Sequence, residues 1–175
     1  MHDALFRWKI EVYHKKWLGD ALWIPGNGRL GIDLLNNSFA IELKSKMRGY
    51  PKQFAVNADQ VDSFPAQEEY EGREFYWAFM FYSFSKKVKE IDEKEDLEAL
   101  VTEREVWCMP WDWIRKFPIS RPKKTGPFHY VARHQLPDPS TMTTFEETKG
   151  KIYTPQDSDL ETYLINRKLS MCEDL

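Results

Sequence analysis

Cysteine is nearly absent from this 175-residue chain. Its two cysteines, Cys108 and Cys172, are too few for a disulfide framework and lack CxxC spacing, which points to a reducing compartment and away from a zinc site. The four histidines, His2, His14, His129 and His134, add no ligand pattern. Long apolar runs are missing as well. The richest stretch, Phe75 to Phe84, is broken by Ser83 and falls short of the roughly 18 residues that cross a bilayer, so no membrane partner is expected. The N-terminus carries His2, Asp3, Arg7 and Lys9 where a signal peptide has its apolar segment, and a cytoplasmic location is the expectation. Positive charge is not in excess. A net charge of −3 and a pI near 5.9 argue against an indiscriminate nucleic-acid binder, for which a basic domain is the usual footprint. Internal repeats and low-complexity tracts are absent too.

What is present suits one packed domain spanning residues 1–175, with a core over about 4–135 and a C-terminal extension holding a helix at about 157–169. Apolar residues make up 42% and aromatics 15%, enough for a sizeable core. Charge is segregated along the chain. Glu90 to Glu105 is mostly acidic, whereas Arg115, Lys116, Arg121, Lys123, Lys124, Arg133 and His134 cluster further on, so a locally basic face is compatible with the acidic total.

Apolar spacing predicts a helix from about Asp3 to Leu18 with Gly19 as its stop. Leu30–Leu35 and Phe39–Lys44 read as two strands joined at Asn36-Asn37. A short helix is expected within Phe54–Gln67, an aromatic and buried strand over Phe75–Ser85, and a short helix over Asp96–Val101. A strand over Glu105–Met109 follows, with Pro110 opening a turn or helix through Trp111, Trp113 and Ile114. Strands separated by helical segments predict an α/β fold, a central mixed β-sheet flanked by α-helices.

The segment from Gly31 to Ser45 carries the chemistry. Ile41 and Leu43 are apolar while Glu42 and Lys44 are charged, so a strand buries the first pair and sets the acid and the base side by side on its other face. With a two-residue turn at Asn36-Asn37, Asp33 pairs with Ala40 and joins Glu42 and Lys44 on that face; a three-residue loop would turn it away. Two converging carboxylates are ligands for a hard divalent cation such as Mg²⁺, with Mn²⁺ able to substitute. The cation acidifies water and neutralises charge on a phosphate, and Lys44 orients or deprotonates the water.

Asp33, then Glu42-Leu43-Lys44, on a hairpin after an N-terminal helix, resembles the PD-(D/E)xK nuclease superfamily, the restriction-endonuclease-like fold. Ile32 stands where the family's proline usually precedes the aspartate. The order of Gln60-Val61-Asp62, the aromatic strand and Val106 to Trp111 is similar to that of the family's core, and the resemblance covers about residues 4–115. It implies a restriction-endonuclease-like core and a Mg²⁺-dependent endonuclease that hydrolyses DNA phosphodiesters, with Asp33, Glu42 and Lys44 catalytic and Asp33 and Glu42 as metal ligands. Glu11 on the first helix is the further metal ligand that many members supply, and Gln60 resembles a Gln that follows the ExK strand in several relatives.

Lys46, Arg48 and Lys52, just beyond the motif strand, are the best-placed phosphate contacts, with Arg121, Lys123, Lys124 and Arg133 as a second basic group. A site-specific enzyme of the restriction or homing type is the leading expectation, acting as a homodimer because one site cuts one strand. A Holliday-junction resolvase or repair nickase of the same fold is second, and a non-catalytic DNA-binding or assembly module is the alternative from another class.

Overall fold

The computed structural model describes residues 32–35, 39–48, 53–92, 95–121, 126–147 and 149–155. The expected helices near 3–18 and 157–169, the turn at Asn36-Asn37, and Glu11, Lys52, Lys123 and Lys124 lie outside them.

The fold is α/β, built on a mixed sheet with a few short helices. Nine strands are described: β1 (Leu34–Leu35), β2 (Phe39–Met47), β3 (Gln53–Asn57), β4 (Glu74–Phe84), β5 (Val101–Pro110), β6 (Ile119–Ser120), β7 (Phe128–Ala132), β8 (Met142–Glu147) and β9 (Gly150–Pro155). Six form one sheet in the order β1-β2-β4-β5-β9-β8, and β3-β7-β6 form a second. In the large sheet β2 runs parallel to β4 and β5 to β9, while the β1–β2, β4–β5 and β8–β9 pairs are antiparallel. The parallel step from β2 to β4 needs a crossover, which β3 and the helix Ala58–Ser63 supply.

β4 sits at the centre, paired on both sides, and its residues Tyr76 to Tyr82 are all buried. A strand covered on both faces has no solvent side to alternate against, so it reads as an unbroken apolar and aromatic run. On one face Phe39, Ile41, Ala78, Met80, Val106, Cys108 and Ile152 pack beneath Ile91, Leu97 and Val101. On the other, Trp77, Phe79, Phe81, Trp107 and Met109 meet Phe54, Val56, Val131, Trp111 and Ile114. Trp77 and Trp111 stack at 3.9 Å and 10°. Both indole N–H groups are spent on backbone carbonyls, Trp77 on Trp111 at 2.9 Å and Trp111 on Val61 at 2.8 Å. Emptying such a site, as in Trp77→Ala, costs about 3–5 kcal/mol.

Several boundaries differ from the sequence expectation. The short helix expected within Phe54–Gln67 is Ala58–Ser63, and the segment 53–57 before it is a strand. Phe54 and Val56 point inward while Gln53 and Ala55 are exposed, a period of two that selects sheet over helix. Asn57 then caps the helix Ala58–Ser63 by accepting from the Asp59 N–H at 2.9 Å, so strand passes to helix without a loop. The sheet face above β4 is therefore covered largely by a second sheet where helices were expected. The stretch from Met142 to Pro155, whose Thr-rich start reads as a tail, forms two strands that complete the large sheet. Gly150 belongs where it is: a Cβ built there would lie 1.5 Å from the Arg104 carbonyl oxygen on β5. The short helix Leu97–Leu100, with Asp96 accepting from Glu98 N–H at 3.0 Å, agrees with its expected place. The 3-10 helix Trp111–Lys116 after Pro110 does so too.

No helix among the described residues is long and apolar enough to cross a membrane.

Candidate active site

The hairpin register is Leu34 with Ile41 and Leu35 with Ala40, two residues away from the pairing that a two-residue turn requires. A slip of two preserves the face, because side chains alternate with period two. Continuing the register one residue outward sets Asp33 opposite Glu42. The expectation that Asp33, Glu42 and Lys44 share a face survives although the expected turn length does not.

The three side chains meet. Asp33 Oδ2 accepts a hydrogen bond from the Leu43 N–H at 2.8 Å, tying the carboxylate to the motif strand's own backbone. Lys44 Nζ donates to Glu42 Oε1 at 2.6 Å and lies 5.8 Å from the centre of the Trp77 ring. Glu42 is only 5% exposed, and its second oxygen, Oε2, is buried without a hydrogen-bond partner. A buried carboxylate oxygen left unmatched is costly unless something else satisfies it.

The electrostatics carry the same tension. The Asp33 residue keeps some solvent exposure, yet its carboxyl is enclosed, and desolvation first, with the Glu42 charge and a side-chain contact with Glu42, pushes its pKa up to about 7 against the lowering effect of Lys44 and the Leu43 N–H. Two carboxyls that resist joint ionisation are what a divalent cation relieves, and hard oxygen donors are what Mg²⁺ prefers. The donor set therefore fits a cation held by Asp33 and Glu42. No group of three or more His, Cys, Asp or Glu side chains suited to a metal gathers among the described residues, and Glu11 lies outside them.

Tyr70 was missed by the sequence reading. It ends the 3-10 helix Glu68–Tyr70, is 1% exposed, and its hydroxyl accepts from the Ile32 N–H at 3.3 Å, directly before Asp33. Burial raises its phenol above the ordinary range, opposed by the Ile32 N–H and assisted by Glu69 and Glu42. A lone Tyr in a Glu-rich loop gives no sign of this in sequence, since the contact joins residues 38 apart.

The expected phosphate contacts are placed unevenly. Lys46 is partly buried on the Lys44 face and carries no ion pair among the described residues. Arg48 forms ion pairs with Glu103 and Glu105, and Arg133 pairs with the same Glu105 at 2.6 Å. The acidic and basic stretches, separate in sequence, thus meet in space. Arg121 is exposed. Gln60 stands on the helix Ala58–Ser63 and makes no hydrogen bond to Asp33, Glu42 or Lys44. A surface cavity of about 420 Å³ at the start of β4, lined by Asp62, Glu74, Phe75, Trp111 and Arg115 among others, does not include the motif residues. That cavity and the candidate site are therefore separate.

Comparison of the chain with family models, with curated proteins and with solved structures gave no match.

Proposed function

We propose that this protein is a Mg²⁺-dependent DNA endonuclease of the PD-(D/E)xK type, with a restriction-endonuclease-like core, Asp33 and Glu42 as metal ligands, and Lys44 as the base or phosphate contact. The observation that carries the reading is the meeting of Asp33, Glu42 and Lys44 on one sheet face, with Glu42 Oε2 buried and unmatched and Asp33 raised to about 7. A purely structural acid–base pair gains nothing from a second buried carboxyl beside it, whereas a cation site requires one.

When bound, the cation supplies Lewis-acid stabilisation of the phosphate and acidifies a water. The chain's own contribution is placement. The Leu43 N–H fixes Asp33, the Tyr70 hydroxyl fixes the backbone entering it, and the Glu42 contact holds the Lys44 ammonium beside the carboxylates. From there the Lys44 amine reaches a phosphate oxygen or the proton of the attacking water. A site-specific double-strand cutter working as a homodimer is the preferred form. A junction resolvase or repair nickase uses the same chemistry on another DNA shape, and a non-catalytic DNA-binding or assembly module uses none.

The test is incubation of the purified protein with plasmid, linear and four-way-junction DNA in Mg²⁺, in Mn²⁺ and in EDTA. Discrete fragments support the restriction-type reading, and junction-only cuts support resolution. Nicked circles accumulating ahead of linear product, from a protein that light scattering finds monomeric, support a nickase. No cleavage in either metal, or cleavage that persists in EDTA, rejects the metal-nuclease reading.

A further inference from the structure

The far end of the motif strand carries a second charged assembly with an unusual balance. Arg48 follows β2 directly and is still tied to the sheet, its N–H donating to the Tyr82 carbonyl at 2.8 Å. Its guanidinium reaches across β4 to Glu103 and Glu105 on β5. Arg133 arrives from the other sheet, on the 3-10 turn after β7, and lies over the rings of Phe81 and Trp107 at 5.6 and 5.5 Å. Both arginines donate to one and the same atom, Glu105 Oε2.

Two guanidinium forks around one carboxylate oxygen form a site for an oxyanion that happens to be filled by a side chain. Lys46 pairs with Phe81 across β2 and β4, and Phe81 with Glu105 across β4 and β5, so Lys46 shares this row and face. Lys46, Arg48 and Arg133 set against Glu103 and Glu105 leave one positive charge in surplus. Arg48 Nε is buried with no hydrogen-bond partner, an unused donor in the same fork. The Glu103 side chain is 49% exposed and able to swing into water, whereas Glu105 is 17% exposed and pinned between the arginines. Arg133 keeps its place through the aromatic shelf even when a carboxylate leaves. The assembly lies on the face of Glu42 and Lys44, four residues further along β2 from Lys44, or about 13 Å.

We infer that Arg48 and Arg133 form a clamp for a backbone phosphate of the nucleic acid a few nucleotides from the reacting one, with Glu105 as the internal latch that holds the two guanidiniums in register until the phosphate takes its place. This rests on the nucleic-acid reading above and adds to it a paired site and a carboxylate that competes with the substrate.

The test is binding of a fluorescein-labelled mixed-sequence DNA duplex across a salt series, in Ca²⁺ and in EDTA, for the parent, R133Q, the R48Q/R133Q double variant and E105Q. Each lost phosphate contact removes about 0.9 from the log–log salt slope, so R133Q lowers it by about 0.9 and the double variant by about 1.8. E105Q keeps both arginines and removes the competing charge, so it tightens Kd several-fold. Thermal melts check folding. If the double variant does not fold, R133Q, on a half-exposed side chain, and E105Q carry the test alone. A parent that binds while R133Q leaves the slope unchanged, or while E105Q weakens binding, overturns the clamp and leaves the nuclease reading standing. A parent that binds duplex in neither condition removes both.

Discussion

Two ionic clusters share one face of the large sheet and differ in how burial treats them. Around Glu42 the side chains are enclosed, one carboxylate oxygen lacks a partner, and a second carboxyl is held beside it. Around Glu105 the outer charges of Glu103 and Arg133 are half in water, and each carboxylate is matched by a guanidinium. The exposed cluster can exchange partners at little cost because solvent screens what is left behind. The buried one cannot, and its cost persists until a ligand removes it. On the proposed reading, this is the physical difference between a site that waits for a cation and one that trades a carboxylate for a phosphate.

The largest effect that would break this contrast is on cleavage. Asp33→Ala and Glu42→Ala should each lower the rate at least about 10³-fold while duplex binding survives, and Lys44→Ala should do so with metal binding retained, as gel-based turnover and isothermal titration with Mn²⁺ would read. Near-normal cleavage by any one of the three removes that residue from the chemistry.

Next comes pH. The folded-state pKa of Asp33, about 7, lies above its ordinary 3.8, so the folded protein holds a proton that the unfolded chain releases. Its contribution to stability is full below about pH 4 and is lost as pH rises through 7. Asp33→Asn keeps an oxygen for the Leu43 N–H without the charge. In EDTA it should raise stability at pH 8 by on the order of 2–4 kcal/mol and give no gain at pH 4, measured by urea titration at both pH values. Mg²⁺ should stabilise the parent at pH 8 and leave the variant unmoved. A pH-independent gain would mean that burial does not strain the pair.

Two smaller substitutions sharpen the comparison. Gly150→Ala drives a Cβ into the Arg104 carbonyl and should cost about 1–3 kcal/mol by parting β9 from β5, without changing the pH dependence, because β4 and β5 stand between it and the Asp33–Glu42 pair. Tyr70→Phe strips the buried Ile32 N–H of its acceptor, for about 1–3 kcal/mol, and should lower kcat more than it raises KM. Equal loss in kcat and in stability-matched controls would make Tyr70 a packing residue only.

Much of the candidate site was legible because alternation is robust. Ile41 and Leu43 against Glu42 and Lys44 defined two faces, and a register wrong by two residues still placed Asp33 correctly. The aromatic run of β4 was readable for the opposite reason, since it lacks alternation and only a doubly covered strand tolerates that. What the sequence hid was long-range. Glu103 and Glu105 stand 55 and 57 residues from Arg48, so the expected phosphate contacts gave no sign of being partnered. The short strands β3 and β7 carry alternation over only five residues each, too little to mark a strand by itself. β8, with its threonines, drew its identity from the pairing with β9 rather than from its own composition.

The pairing of β3 with β7, which joins residues more than seventy apart, bears on how the chain is made. The β1–β2 pairing closes over a few residues and belongs to the fast, local part of folding, whereas contacts of large sequence separation come late. Phe54 packs on Phe79 and Phe81, and Arg133 on Phe81 and Trp107, so the roof over the central strand's aromatic face is complete only when β7 arrives. At roughly 5–20 residues per second on the ribosome, that face stays open for several seconds after Phe81 is added. The exposed aromatics are then the segment most in need of a chaperone, and the yield of native protein should respond to growth temperature more steeply than the melting curve of the finished fold.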